Sequence, residues 1–112
     1  MAESVALAVL ENLVHMSAAD FPAGYVIVPA VIPDTTRVLT EENLMARFPG
    51  LSNTQLGDRW FESGASAVLE VHSAVVPFEH NYLLNPQHPE FPQILVEPTV
   101  PFTFDERLFG SR

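Results

Sequence analysis

Apolar and polar positions alternate in blocks along the chain, and the first block is the longest. Residues 3–17, ESVALAVLENLVHMS, contain no Gly or Pro and predict a helix with Glu3 at its N-terminal end. At about 100° per residue, Ser4, Ala8, Glu11, Asn12 and His15 share one narrow stripe. Val5, Leu7, Val9, Leu10, Leu13, Val14 and Met16 cover the remaining circumference, so the expected helix is largely buried. A carboxylate at Glu11 then either reaches solvent along the stripe or faces a polar cleft.

The next apolar block, Tyr25 to Ile32 (YVIVPAVI), is rich in β-branched residues and predicts a strand. Pro29 interrupts it, which favours an edge strand or a bulge. Residues 40–48, TEENLMARF, predict a short helix with Thr40 as N-cap and Glu41 and Glu42 in the first turn, stopped by Pro49-Gly50. A second helix is expected from Ser52 to Glu62, ending at Ser63-Gly64. Strands are expected at Ala67–Val71 and Ala74–Val76, followed by a turn region from Pro77 to Pro92 that carries His80, Asn81, Asn85 and His88. Short strands at Ile94–Glu97 and Phe102–Phe104, separated by Pro98 and Pro101, close the order. The sum is one mixed α+β domain with its strands clustered toward the C-terminus.

Composition narrows the partners. The net charge is −9, and all five basic residues are Arg. A nucleic-acid groove needs a basic stripe to neutralise phosphates, and none is present, so direct nucleic-acid binding is not expected. Scattered carboxylates suit a basic protein partner instead. No apolar run approaches the roughly 18 residues of a membrane span. The start MAESVALAVL has an early Glu3 and no positive charge, so it does not read as a signal peptide. The chain has no cysteine, which removes disulfides and Cys-type zinc sites and fits a cytoplasmic, reducing compartment.

The residues that could carry chemistry are few. Glu11 is either a solvated carboxylate on the helix stripe or a buried group that supports developing positive charge. His80 and His88, with Glu79 and Glu90 nearby, invite a metal, yet no HExxH or other tight ligand spacing exists, and no metal site is expected. Adjacent strand residues face opposite ways, so His72 is badly placed to activate Ser73, and no GxSxG elbow surrounds that serine. Ser73 suits hydrogen bonding to a ligand or an ordinary place in a strand. Asn81 and Asn85 more often hold turns. Gly24, Gly57 and Gly64 form no phosphate loop.

Gly57, Trp60, Leu69, Ser73-Ala74-Val75-Val76-Pro77, Glu79, Asn81-Tyr82-Leu83-Leu84-Asn85-Pro86, His88-Pro89, Phe91 and Phe104-Asp105-x-Arg107-Leu108 together resemble the second half of the RES domain. This family supplies the toxin of RES–Xre toxin–antitoxin systems, and SVALAVLENLVHM is similar to its first long helix. The resemblance implies an α+β fold related to ADP-ribosyltransferases, with a mixed or antiparallel sheet and flanking helices. It implies degradation of NAD, as substrate rather than cofactor, by phosphorolysis or hydrolysis of the nicotinamide–ribose bond. Glu11 and Ser73 look like the catalytic Glu and Ser of the family's polar set, with Ser73 and Asn81 contacting the nucleotide. The implied partner is an Xre-type antitoxin whose C-terminal segment blocks the cleft.

The chain also departs from the family pattern. RES domains usually carry further strands before this helix, with an Arg in a Gly-Arg-Trp-Asn-like motif and a cleft tyrosine. None of Arg37, Arg47, Arg59, Arg107 or Arg112 stands in such a motif, and neither Tyr25 nor Tyr82 matches that tyrosine. His72 replaces the proline often found before the Ser. The expectation is therefore a partial RES domain over residues 1–112, shortened at its N-terminus, with weak or no NAD turnover alone. The rival is a non-catalytic remnant that binds an antitoxin or self-associates, since uncovered strands leave an open sheet edge.

Overall fold

A computed structural model describes residues 1–13, 25–105 and 107. The elements run α1 (Val5–Leu13), β1 (Tyr25–Ile27), β2 (Ala30–Val31), β3 (Val38–Thr40), α2 (Glu41–Arg47), α3 (Asn53–Ser63), β4 (Val68–His72), β5 (His80–Leu84), a 3-10 turn (Phe91–Gln93), β6 (Leu95–Val96) and β7 (Val100–Phe102). The fold is mixed α+β, as expected, and among the described residues no helix is long and apolar enough to cross a membrane.

The central sheet has the order β3-β4-β5, with β3 parallel to β4 and β4 antiparallel to β5. A parallel pair needs a crossover, and α2 and α3 supply it. Both helices start on reciprocal caps. Thr40 Oγ1 accepts the Asn43 N–H at 3.2 Å while Asn43 Oδ1 accepts the Thr40 N–H at 2.9 Å. Ser52 and Gln55 repeat the device at the start of α3. Gly64 ends α3 at φ 61°, the left-handed conformation that glycine adopts without a Cβ penalty. These helices cover one face of the sheet, where Leu39, Leu44, Leu56, Trp60 and Leu69 form a buried cluster.

The alternation of β4 sends Val68 to the opposite face, where it joins Ala67 and Ile94 with Ala30, Ile32, Tyr82, Leu84 and Phe91 against them. This second cluster anchors an antiparallel ribbon. Ala30 pairs with Val96 and Val31 with Leu95, whereas Tyr25 pairs with Phe102 and Ile27 with Val100. The register slips by one residue between the two sets. Val28-Pro29 faces a longer Glu97–Pro98–Thr99 stretch, so the expected interruption at Pro29 is a bulge, held by the Glu97 N–H to Pro29 carbonyl bond of 2.8 Å.

Four expectations are corrected. The closing strand is Val100–Phe102, with Pro101 inside it opposite Val26, rather than Phe102–Phe104. Ala74–Val76 is not a strand: Val75 and Val76 give their N–H groups to the Ser73 hydroxyl, which turns the chain immediately after β4. The supposed turn region holds a full strand, β5, whose polar His80 and Asn81 disguised it. Finally, α1 is less buried than its composition suggests. Only Leu7 is buried, while Val5 and Leu10 are 49% and 42% exposed. The predicted extension of this helix to residue 17 lies outside the described residues beyond Leu13.

Candidate functional site

The site is assembled on β5. Residues 1–3 lie along its outer edge: Ala2 bridges Asn81, the Tyr82 N–H bonds the Met1 carbonyl at 2.6 Å, and the Glu3 N–H bonds the His80 carbonyl at 3.1 Å. The Glu3 carboxylate adds a bond from the His80 N–H at 2.6 Å. Ser4 then caps α1 by accepting the Leu7 N–H at 3.1 Å. Seven residues and about 10 Å further along the helix stands Glu11.

Two donors meet one of its oxygens. Ser73 Oγ donates to Glu11 Oε1 at 2.5 Å, and Asn81 Nδ2 donates to the same atom at 2.8 Å. Ser73 is 2% exposed and sits where β4 turns back toward β5, with its own N–H on the Glu79 carbonyl at 2.9 Å. Its hydroxyl accepts the Val75 and Val76 N–H groups at 3.1 and 3.0 Å. A hydroxyl has one donor and two acceptor positions, so this one is fully used. Asn81 pairs with Val71 across the sheet, the same face as Leu69 by alternation. Glu11, Ser73 and Asn81 therefore form one half-buried polar cluster.

The histidines belong elsewhere. His72 and His80 pair across β4 and β5, with ring centroids 4.9 Å apart. His72 Nε2 lies 2.8 Å from Glu42 Oε1, and its Nδ1 lies 3.2 Å from the Pro77 carbonyl oxygen. The hydrogen bond to Glu42 raises the His72 pKa, and the same contact lowers that of Glu42. With both ring nitrogens engaged, His72 is not a base for Ser73. His80 approaches Glu3 and Glu70, each at 3.7 Å. Burial, then a hydrogen bond to Glu70, raises the Tyr82 pKa. His88 Nδ1 accepts the Glu90 N–H at 3.0 Å, and Asn85 holds its turn through the Gln87 N–H, as turn asparagines do.

A cleft of about 720 Å³ lies beside the cluster, walled by Val5, Ala8 and Asn12 of α1, by Tyr25 and Val28, and by Phe102. Its lining does not include Glu11, Ser73 or Asn81. Volume alone does not make a site. The converging carboxylate, hydroxyl and amide carry the chemistry here, and the cleft supplies apolar surface on the other flank of α1.

Comparison with known proteins decides the family. The family model described as RES domain matches residues 1–105. The chain belongs to the RES domain family. It is 33% identical over 115 aligned positions to a protein of Sphingobium sp. (strain YBL2) named Prs ADP-ribosylating toxin, covering 96% of this chain and 71% of that protein. It is 32% identical over 118 positions to Toxin Res of Photorhabdus laumondii, covering 100% of this chain and 76% of the relative. Toxin Res of Yersinia enterocolitica is 35% identical over 115 positions, covering 96% and 75%. In this RES domain the two residues that resemblance marks for catalysis, Glu11 and Ser73, stand in direct contact. The contact of Asn81 with Glu11 had no sequence signal, because 70 positions separate them. The closing Asp105-x-Arg107 motif is a local pair, with Arg107 Nε and Nη2 on the two Asp105 oxygens at 3.0 and 2.8 Å.

Proposed function

We propose that this RES domain is the toxin component of a toxin–antitoxin pair and that it acts on NAD at the nicotinamide–ribose bond. The observation that carries this reading is the Glu11 carboxylate held by Ser73 and Asn81. When that glycosidic C–N bond breaks, its electron pair stays with the ring nitrogen and neutralises the pyridinium. The ribose carbon is left with oxocarbenium character, which an oriented carboxylate stabilises. Phosphate then adds to give a sugar phosphate, or water adds to give the free sugar and a proton. Glu11 takes the charge-stabilising role. Ser73 and Asn81 serve the nucleotide site through Glu11, each holding that carboxylate by a hydrogen bond. The relatives' toxin names support the reading. ADP-ribosylation, named for one of them, draws on NAD and breaks this same bond. An Xre-type antitoxin is the matching partner, and the acidic surface suits a basic segment of it.

A second reading, a non-catalytic module that binds an antitoxin or a second copy, is favoured by one observation. The ribbon exposes Leu95 at 60% and Val96 at 66%, a large apolar exposure for an uncovered pair of strands. NAD consumption by the purified chain, with and without phosphate, separates the two. Turnover that disappears in Glu11→Ala supports the enzyme; no turnover together with a dimer that Val96→Glu dissociates supports the module.

A further inference from the structure

We propose that Asn81 is a positioning residue for Glu11, setting the carboxylate through both ends of the N-terminal segment; this rests on the reading of Glu11 as the charge-stabilising group. Among its described residues α1 buries one side chain, Leu7, so packing of this span alone leaves the Glu11 carboxylate room to move. Useful charge stabilisation needs the carboxylate placed to within a fraction of an ångström. Asn81 touches this segment at two separate points. It stands opposite Ala2 in the edge bridge, whose hydrogen bonds run through the flanking His80 and Tyr82, and its Nδ2 bonds Glu11 Oε1 at 2.8 Å, nine residues later.

The strand that carries Asn81 is itself fixed. β5 pairs with β4 over five register positions, from Val68–Leu84 to His72–His80, and Asn81 stands opposite Val71. Rigid sheet thus dictates where a lightly packed helix puts its carboxylate. The Ser73 hydroxyl reaches the same oxygen from the far end of the 73–79 turn, so two donors with independent supports hold one atom. Carboxamide chemistry matters at position 81. Aspartate has the same shape but offers no N–H, and it sets a second carboxylate against the first.

The role has a signature that substrate contact lacks. Asn81→Asp should lower kcat for NAD consumption by about 10- to 100-fold and leave KM within about 3-fold, the pattern of lost alignment rather than lost binding. In a Glu11→Ala background, Asn81→Asp should cost no further activity, because the residues act as one unit. Independently of turnover, Glu11→Ala in the ¹⁵N-labelled chain should move the Asn81 side-chain amide resonances while the Ala2 and Tyr82 backbone amides keep their shifts. Asn81 resonances unmoved by Glu11→Ala would overturn the proposal, as would an Asn81→Asp enzyme with raised KM and unchanged kcat. A wild-type chain that consumes no NAD removes the proposed function but leaves the resonance measurement to decide the positioning.

Discussion

Ser73 gives its single hydroxyl proton to Glu11 at 2.5 Å, across 62 positions of sequence, while the N–H groups of Val75 and Val76 fill its acceptor positions. One oxygen atom therefore joins α1 to the turn after β4. Removing it harms both sides, because two backbone N–H groups and a carboxylate lose a partner at a half-buried site. Ser73→Ala should destabilise the domain by about 1–3 kcal/mol, the range for leaving buried polar groups unsatisfied. Chemical denaturation at neutral pH measures this. Glu11→Ala should cost less, since the Ser73 hydroxyl keeps both N–H bonds. An equal cost would mean that the turn does not depend on the hydroxyl.

The His72–Glu42 contact makes a pH prediction. Both partners of the His72 ring, Glu42 Oε1 and the Pro77 carbonyl oxygen, are acceptors, so only the doubly protonated imidazolium satisfies both. The raised His72 pKa means its contribution is complete below the ordinary value of 6.5 and fades as pH rises through the folded-state value. The lowered Glu42 pKa means its share is present above the ordinary 4.5 and is lost as pH falls through its own folded-state value. The pair thus works in the window between those two folded values. NMR titration should find His72 titrating above 6.5, and Glu42→Gln should bring it back down. An unchanged midpoint in Glu42→Gln would show that the pair is not formed in solution.

Local signals were legible in the sequence and crossing signals were not. Thr40 announced α2 because a cap is decided within four residues, and in the structure Ser52 opens α3 with the same device. Pro29 announced a break in the ribbon because its missing N–H leaves a gap in pairing, whereas Pro101 stays inside β7 opposite Val26. The strand β5 was hidden because two of its five residues, His80 and Asn81, serve polar contacts beside it rather than a core. The run Ala74–Val76 resembled a strand because its residues are small and apolar. The Ser73 hydroxyl takes two of its N–H groups and makes it a turn instead. Glu11 and Ser73 could be paired only through family resemblance. The place of Asn81 beside them depends on how residues 1–3 lie along β5, which no periodicity encodes.

The packing of Trp60 gives the sharpest stability test. Its indole N–H donates to Ser66 Oγ at 2.8 Å, and that hydroxyl donates to the Val68 carbonyl oxygen at 2.7 Å. Ser66 is 0% exposed and Trp60 is 3% exposed, so no water replaces either bond. Ser66→Ala strands a buried donor and removes a bond to a buried acceptor, and it should cost about 2–4 kcal/mol. Trp60→Phe removes the donor but also ring volume from the cluster with Leu39, Leu44, Leu56 and Leu69, at about 1–3 kcal/mol. Because both changes break the same Trp60–Ser66 bond, the double variant should lose less than the two single losses added together. Unfolding curves for the four proteins test this, and strict additivity would mean that the indole N–H bond contributes nothing to the core.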